Sequence, residues 1–285
     1  MALLRHNQGV HPVSRLVTAI AAVAIACTAP AVAAHAPQTL SVDTVIERAG
    51  EYVRGYRDDL TYVMATETYV QTLTGGYSLY DMDETLESEV YFVYVPADRV
   101  WMAIRDVLVA DGKKLLNRPD VRSILNSGQV GAARELKAKN ATYNLGTIYR
   151  NFNEPTLSLQ ILDDEHRPKT TFVRQKVKDG KYTVSFAEHG KPTLIVNTDG
   201  SPAYSKGELV IDGATGRVER AELRIRLGKV DATLTTTYRP DEKLKMWVPT
   251  TFEEKYDGDG RRAEKINGKA TYGDFSRFDV QVRIK

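Results

Sequence analysis

Histidine, cysteine and clustered carboxylates are the side chains best suited to chemistry, and this 285-residue chain uses few of them. Past the N-terminal region only His166 and His189 remain, in DDEHRP and EHGK, both turn-like settings. There is no HExxH and no histidine pair at helical spacing, which argues against a zinc enzyme. There is no G-x-S-x-G either, and that lowers the case for a serine hydrolase without closing it. Asp81, Asp83 and Glu84, and again Asp257 and Asp259, bring acids together. Calcium needs six or more oxygens, and neither group has EF-hand spacing, so a solvated loop and a hairpin tip are the competing readings. No catalytic residue, metal ligand or cofactor motif is assigned.

Two features remain. Arg105-Asp106 sits in the middle of an apolar run between Ile104 and Val107. In a strand, neighbours face opposite ways, so one of the two charges points to the dry side and needs a partner there. It would then hold a helical lid or a ligand head group, unless the strand is an edge with both sides wet. The aromatics Trp101, Tyr238, Trp247, Phe252 and Tyr272 also fall in strand-like segments. They read as core, or as pocket lining if a curved sheet is only partly filled.

The elements that would position these residues follow from periodicity. Ser41 to Leu60 has apolar residues at 3.6 spacing with Ser41 as N-cap, which predicts a helix. Thr61–Thr74, Ser88–Val95 and Val100–Ala110 predict strands, with Asp81 to Glu87 as a loop and Asp111-Gly112 as a tight turn. Pro119–Leu125 and Gly131–Ala141 predict two short helices, and Tyr143–Glu154 an irregular stretch. From Lys169 onward only strands are expected, separated by turn pairs that include Asp179-Gly180, Asp212-Gly213, Gly228-Lys229 and Asn267-Gly268. The clearest part is Gly207 to Tyr238, a three-strand meander in which Ala221, Leu223, Ile225 and Leu227 alternate with Arg220, Glu222, Arg224 and Arg226. Phe278, Val280, Val282 and Ile284 predict the inward side of a last strand. One dry face per strand requires a cover, for which both helical segments are candidates. The expected fold class is therefore α+β: a long curved antiparallel β-sheet, a half-barrel, wrapped around a few helices.

Composition sets the compartment. Arg5 and Arg15 precede a short apolar run, Leu16 to Cys27, and then small residues with an Ala31-Val32-Ala33 cleavage pattern. That order predicts a secretory signal peptide over residues 1–34 and one domain over 37–285, hence a periplasmic protein. Ala24-Ile25-Ala26-Cys27 is an imperfect lipoprotein signal, and lipid anchoring at Cys27 is the alternative to its loss with the leader. No later apolar run reaches membrane-spanning length. Without Arg5 and Arg15 the 39 basic residues become 37, against 37 acidic, a neutral balance that excludes a basic nucleic-acid footprint.

Helix first and antiparallel strands after, with ELVIDGATGRVERAELRI as a strand–turn–strand hairpin and WVPTTFEEKY before INGKATYGDFSRFDV as closing strands, resembles the outer-membrane lipoprotein carriers, the LolA/LolB-like half-barrels. WMAIRDVLVADGKKLLNRPD, ATYNLGTIYRNFNEPTLSL and GKATYGDFSRFDV further resemble a group of exported bacterial proteins without an assigned function. The carrier resemblance implies a concave apolar surface that holds acyl chains. The expectation is thus a non-catalytic exported protein binding a lipid, a lipoprotein acyl chain or another amphiphile, with helices as a lid. Its expected lining is Trp101, Arg105, Ala221, Leu223, Ile225, Leu234, Tyr238 and Trp247. The alternatives are a cell-envelope interaction module with a filled core that meets a protein partner, and a hydrolase with a dispersed site.

Overall fold

The computed structural model describes residues 39–76, 80–95, 100–126, 130–150, 152–260 and 262–278. The expected signal peptide, Cys27 and the strand positions Val280, Val282 and Ile284 lie outside them. The order of elements is α1 (Val42–Leu60), β1 (Val63–Gly75), β2 (Met82–Val95), β3 (Val100–Ala110), β4 (Lys113–Lys114), α2 (Val121–Asn126) and α3 (Val130–Asn140). Three short 3-10 turns follow at Ala141–Tyr143, Leu157–Leu162 and Arg167–Lys169. Then come β5 (Thr170–Lys178), β6 (Lys181–Glu188), β7 (Ile195–Val196), β8 (Pro202–Ala203), β9 (Lys206–Asp212), β10 (Val218–Leu227), β11 (Val230–Asp241), β12 (Met246–Gly258) and β13 (Glu264–Arg277).

Eleven strands form one antiparallel sheet in the order β4-β3-β2-β1-β13-β12-β11-β10-β9-β6-β5, while β7 and β8 pair separately. The α+β class expected from the sequence is the one observed. The sheet is a meander apart from two joins: β1 to β13, which places the first strand beside the last, and β6 to β9, which skips the separate β7–β8 pair. The expected meander is present as β9-β10-β11, with Leu223 opposite Leu234 and Ile225 opposite Ala232. Period-2 burial runs along it: Ala221, Leu223, Ile225, Ala232, Leu234 and Tyr238 are all at most 4% exposed. Their alternates carry the wet face, where Arg220 pairs with Glu222 at 2.6 Å.

Helix α1 covers the dry face. Ser41 Oγ accepts from the Thr44 amide at 3.1 Å, as an N-cap should. Val45, Ile46, Ala49, Val53, Tyr56 and Leu60 are buried along one stripe. They join the inward residues of β1–β3, β6 and β9–β13 in one core cluster, together with Leu157, Leu159, Ile161 and Leu162 of the second 3-10 turn. Arg48 ties the helix to the β9–β10 turn by donating to the Gly213 carbonyl at 2.6 Å. At Gly216 in that turn φ is +74°, and a Cβ would lie 2.2 Å from the Arg48 carbonyl oxygen. Gly216→Ala therefore combines left-handed strain with a clash against helix backbone. It is expected to cost about 2–4 kcal/mol, read as a lower urea midpoint at unchanged slope.

Helices α2 and α3 are not part of that cover. Val121 and Leu136 pack with Tyr91, Met102, Ile104 and Phe278, which form a second, smaller cluster on the opposite face of the sheet. The reason is local. Strands β2 and β3 are apolar at both parities here, so both of their faces need burial. β4 pairs only with Val109 and Ala110, which leaves the rest of the β3 edge open. Asn140 closes part of it, accepting from the Arg105 amide at 2.8 Å and donating to the Arg105 carbonyl at 2.7 Å. At Arg105 the edge therefore has no free backbone groups to offer a foreign strand.

Two other expectations change. Asp81 to Glu87 is not a loop, because β2 begins at Met82. Asn267-Gly268 is not a turn but lies inside β13, paired with β1 and β12. A Cβ at Gly268 would come within 2.6 Å of the Tyr69 hydroxyl and 2.8 Å of Glu254. The glycine is there to make room for polar side chains in the core.

Candidate functional site

The dry face is not wholly apolar. Arg105 points inward as one of the two expected charges, and Asp106 points away to pair with Arg118 at 2.5 Å. Arg105 is 5% exposed and its guanidinium donates to both Glu67 oxygens, at 2.5 and 3.0 Å. It also lies 5.1 Å from the Tyr69 ring centroid. The charge that the sequence marked as needing a partner has one on β1, two strands away in the same sheet.

A second buried pair was not singled out from the sequence. Arg150, in the irregular stretch after α3, is fully buried. It donates to Glu254 at 2.6 Å and to the Tyr69 hydroxyl at 2.9 Å, and also to Gln71 and the Leu145 carbonyl. Tyr69 and Tyr256 both donate to Glu254. Burial, followed by the neighbouring Glu254 charge, pushes both phenols far above their ordinary value, so they stay protonated as donors. Gln71 in turn donates to the Tyr143 carbonyl at 2.7 Å and accepts from the Leu145 amide at 3.1 Å. This network pins residues 143–150 across the sheet. Downstream, Tyr238 and Thr236 both donate to the Pro155 carbonyl, at 2.6 and 2.7 Å. Lys137 of α3 meets Glu154 at 2.7 Å, with both side chains mostly buried.

The eight expected lining residues divide as follows. Trp101, Arg105, Ala221, Leu223, Ile225, Leu234 and Tyr238 are buried on the α1 face, at 0–5% exposure. Trp247 is half-buried, with the Arg217 guanidinium 4.5 Å from its ring centroid. Tyr56 of α1 sits edge-on to both Trp101 and Tyr238, with ring centroids 5.7 and 6.2 Å away. The dry face is thus filled over much of its area by the protein's own helix and by the 143–162 segment.

It is not filled everywhere. A cavity of about 280 Å³ lies at the seam between α1, the strands β2 and β3, and residues 160–165. Gly50 and Val53 of α1, with Tyr94 and Trp101 of the sheet, form its wall; Arg54, Arg57, Asp163, Asp164 and Glu165 also line it. Arg57 lies 4.6 Å from the Tyr94 ring centroid, and Arg54 pairs with Asp164 at 3.0 Å. A larger groove of about 640 Å³ lies between residues 147–152, the β7–β8 hairpin and the β10–β11 turn. It sits among surface turns and includes the exposed Tyr149 and Val196.

Of the two histidines, His166 follows Asp163, Asp164 and Glu165 of the cavity lining in sequence but is not itself part of that lining. Asp163 Oδ1 accepts from its Nδ1 at 3.0 Å, from its amide at 2.8 Å and from the Glu165 amide at 2.9 Å. Burial pulls the imidazole down, but the hydrogen bond and charge of Asp163, with Glu165 and Glu188 behind it, raise it above 6.5. For Asp163, burial is outweighed by the same hydrogen bonds and the carboxyl lies below 3.8. The raised histidine contributes stability that is complete below pH 6.5 and lost as pH rises through its folded value. The lowered aspartate contributes stability that is present above pH 3.8 and lost as pH falls. An NMR titration is expected to place His166 above 6.5, with faster amide exchange at Glu165 and His166 on the alkaline side. His166 titrating below 6.5 would contradict the pairing.

Among the described residues no group of three or more His, Cys, Asp or Glu is placed to hold a metal ion. None of the described helices is long and apolar enough to cross a membrane. No protein-family model and no curated protein matches the chain. Solved structures do show similarity. A putative outer membrane lipoprotein-sorting protein domain from Vibrio parahaemolyticus is 13% identical, with 84% of this chain and 95% of that one covered at a TM-score of 0.35. A LolA superfamily protein from Nitrosomonas europaea is 12% identical, with 86% and 97% covered at 0.33. A DUF1329 family protein from Desulfovibrio piger is 12% identical, with 86% and 95% covered at 0.32. These are likenesses at low identity and low TM-score. At these TM-scores they say nothing about the ligand, which has to be argued from the cavity.

Proposed function

We propose that this is an exported, non-catalytic binding protein of the periplasm that holds an amphiphile, such as a lipid or a lipoprotein acyl chain, at the α1 seam. The observation that carries the reading is the composition of the seam cavity. It has an apolar wall of Val53, Tyr94 and Trp101 and charged Arg54, Arg57, Asp163 and Asp164 beside it. A mixed lining, apolar on one wall and charged on the other, suits a molecule with a tail and a head, and its volume is near the lower end of ligand pockets, roughly 300–1,000 Å³.

Magnitudes decide how a tail would be held. Burying ten methylenes is worth about 8 kcal/mol gross. Lifting α1 off the sheet would expose Val45, Ile46, Val53, Tyr56 and Leu60, at about 1.5–3 kcal/mol each, or about 8–15 kcal/mol. A single tail of that length does not offset the loss, so α1 stays seated and the ligand enters beside it. Ala221, Leu223, Ile225, Leu234 and Tyr238 then form the fixed floor beneath α1, and Trp101 is the expected residue that meets the ligand.

The test is solvent extraction and mass spectrometry of protein purified in its exported form. A stoichiometric amphiphile is expected. A second reading, an envelope interaction module with a filled core, is favoured by the closed packing over β9–β11. Purified protein free of any amphiphile, with no binding when one is supplied, would select it.

A further inference from the structure

Away from the seam, the surface groove of about 640 Å³ has a different chemistry. It offers an aromatic ring to solvent: Tyr149 lines it and is 61% exposed. Val196, also in the lining, is 58% exposed. Apolar side chains gathered at the surface inside a polar rim mark ligand grooves. The polar share comes from the turn between β7 and β8, where Asn197, Thr198, Asp199 and Ser201 all line the groove. That turn is fixed by its own hydrogen bonds. The Asn197 amide donates to the Ser201 carbonyl at 2.8 Å and the Gly200 amide to the Asn197 carbonyl at 2.9 Å. Asn197 Nδ2 donates to Ser201 Oγ at 3.0 Å, and the Ser201 amide to Asp199 Oδ1 at 2.9 Å. A turn held in this way loses little freedom when a ligand arrives. Thr198 and Asp199 stay exposed, and Asp199 is the only charged residue among the described residues of the lining.

This composition selects among ligand classes. A phosphate or other polyanion finds no cation in that lining and is repelled by Asp199. An acyl tail would lie against a carboxylate and hydroxyls that it cannot hydrogen-bond, and covering them without partners is costly. A molecule with an apolar face and a rim of hydroxyl groups meets both halves of the groove. We propose that the groove binds a neutral oligosaccharide. One pyranose ring sets its C–H face on the Tyr149 ring, and its hydroxyls donate to the Asp199 carboxylate and share hydrogen bonds with Thr198. A few well-placed polar groups beside an apolar surface are what fixes the orientation of a small ligand. The groove and the seam cavity share no lining residue, so this site stands apart from the amphiphile reading.

The test titrates the full exported chain calorimetrically with two neutral probes, triacetylchitotriose and cellotriose. At least one is expected to bind with a Kd of about 1 mM or tighter. Tyr149→Ala removes an exposed ring and is expected to weaken that binding about 10-fold or more. Asp199→Asn can still accept from the Ser201 amide and is expected to weaken it about 5-fold. Both variants should keep the parent's melting temperature. Tighter binding of triacetylchitotriose assigns an acetamido glycan and tighter binding of cellotriose a plain hexose chain, and either keeps the carbohydrate assignment. Failure of both sugars to bind at about 10 mM would overturn it. So would sugar binding that Tyr149→Ala leaves unchanged, or a sugar displaced by dihexanoylphosphatidylcholine, which would put the amphiphile in the groove.

Discussion

Arg150→Met is expected to destabilise the protein by about 3–5 kcal/mol, a large share of the about 5–15 kcal/mol that holds a typical domain together. The loss does not come from the ion pair as such, because a buried pair is close to neutral against a well-packed apolar replacement. It comes from the carboxylate left behind. Glu254 is 1% exposed, and without the guanidinium its partners are the hydroxyls of Tyr69 and Tyr256. Gln71 and the Leu145 carbonyl also lose a donor, which frees the 143–150 segment from the sheet. The double variant Arg150→Met, Glu254→Gln removes the orphan charge and is expected to recover most of the loss. Urea unfolding measures both. A single variant within about 1 kcal/mol of the parent would show that Glu254 is not carrying an uncompensated charge.

The second large effect is on binding. Val53 is 6% exposed and faces the seam from α1, between the sheet and the 160–165 segment. Val53→Trp puts an indole into the space that the ligand would use. It is expected to weaken amphiphile binding by about 100-fold or more, while overpacking costs about 1–3 kcal/mol of stability. Calorimetric titration with dihexanoylphosphatidylcholine reads the first and a thermal melt the second. The control is Val230→Trp beside the larger groove at residues 147–152, which should leave binding intact. If the control abolishes binding and Val53→Trp does not, the ligand sits in the groove.

Much of the architecture was legible because it rests on local rules. Alternation identified β10 and its neighbours, the 3.6 period identified α1, and Asp111-Gly112 and Asp179-Gly180 adopt the positive φ values that their turns require. Asn267-Gly268 misled for a physical reason. Its glycine answers to the bulk of Tyr69 and Glu254 across the sheet, a tertiary demand that no local window contains. The helices α2 and α3 were assigned to the α1 face because one dry face was assumed throughout, whereas Tyr91, Met102 and Ile104 give β2 and β3 a second.

The candidate site was only partly legible. Arg105 was found by asking which charge falls on the dry parity of a strand. The same question put to β1 and β12 would have found Glu67, Gln71 and Glu254, each flanked by buried residues at i±2. Arg150 had no such signal, since it lies in irregular chain where burial has no period. The seam cavity itself depends on where Gln160 and Val53 meet Trp101, a contact between three segments far apart in sequence.

The central claim is that an amphiphile occupies the seam against Trp101. The chain has only two tryptophans, so the indole region of a nitrogen–proton correlation spectrum contains two signals. On titration with dihexanoylphosphatidylcholine the Trp101 indole signal is expected to move and saturate, while Trp247, held under Arg217, stays in place. A Trp101 signal that does not move at saturating probe would contradict the account.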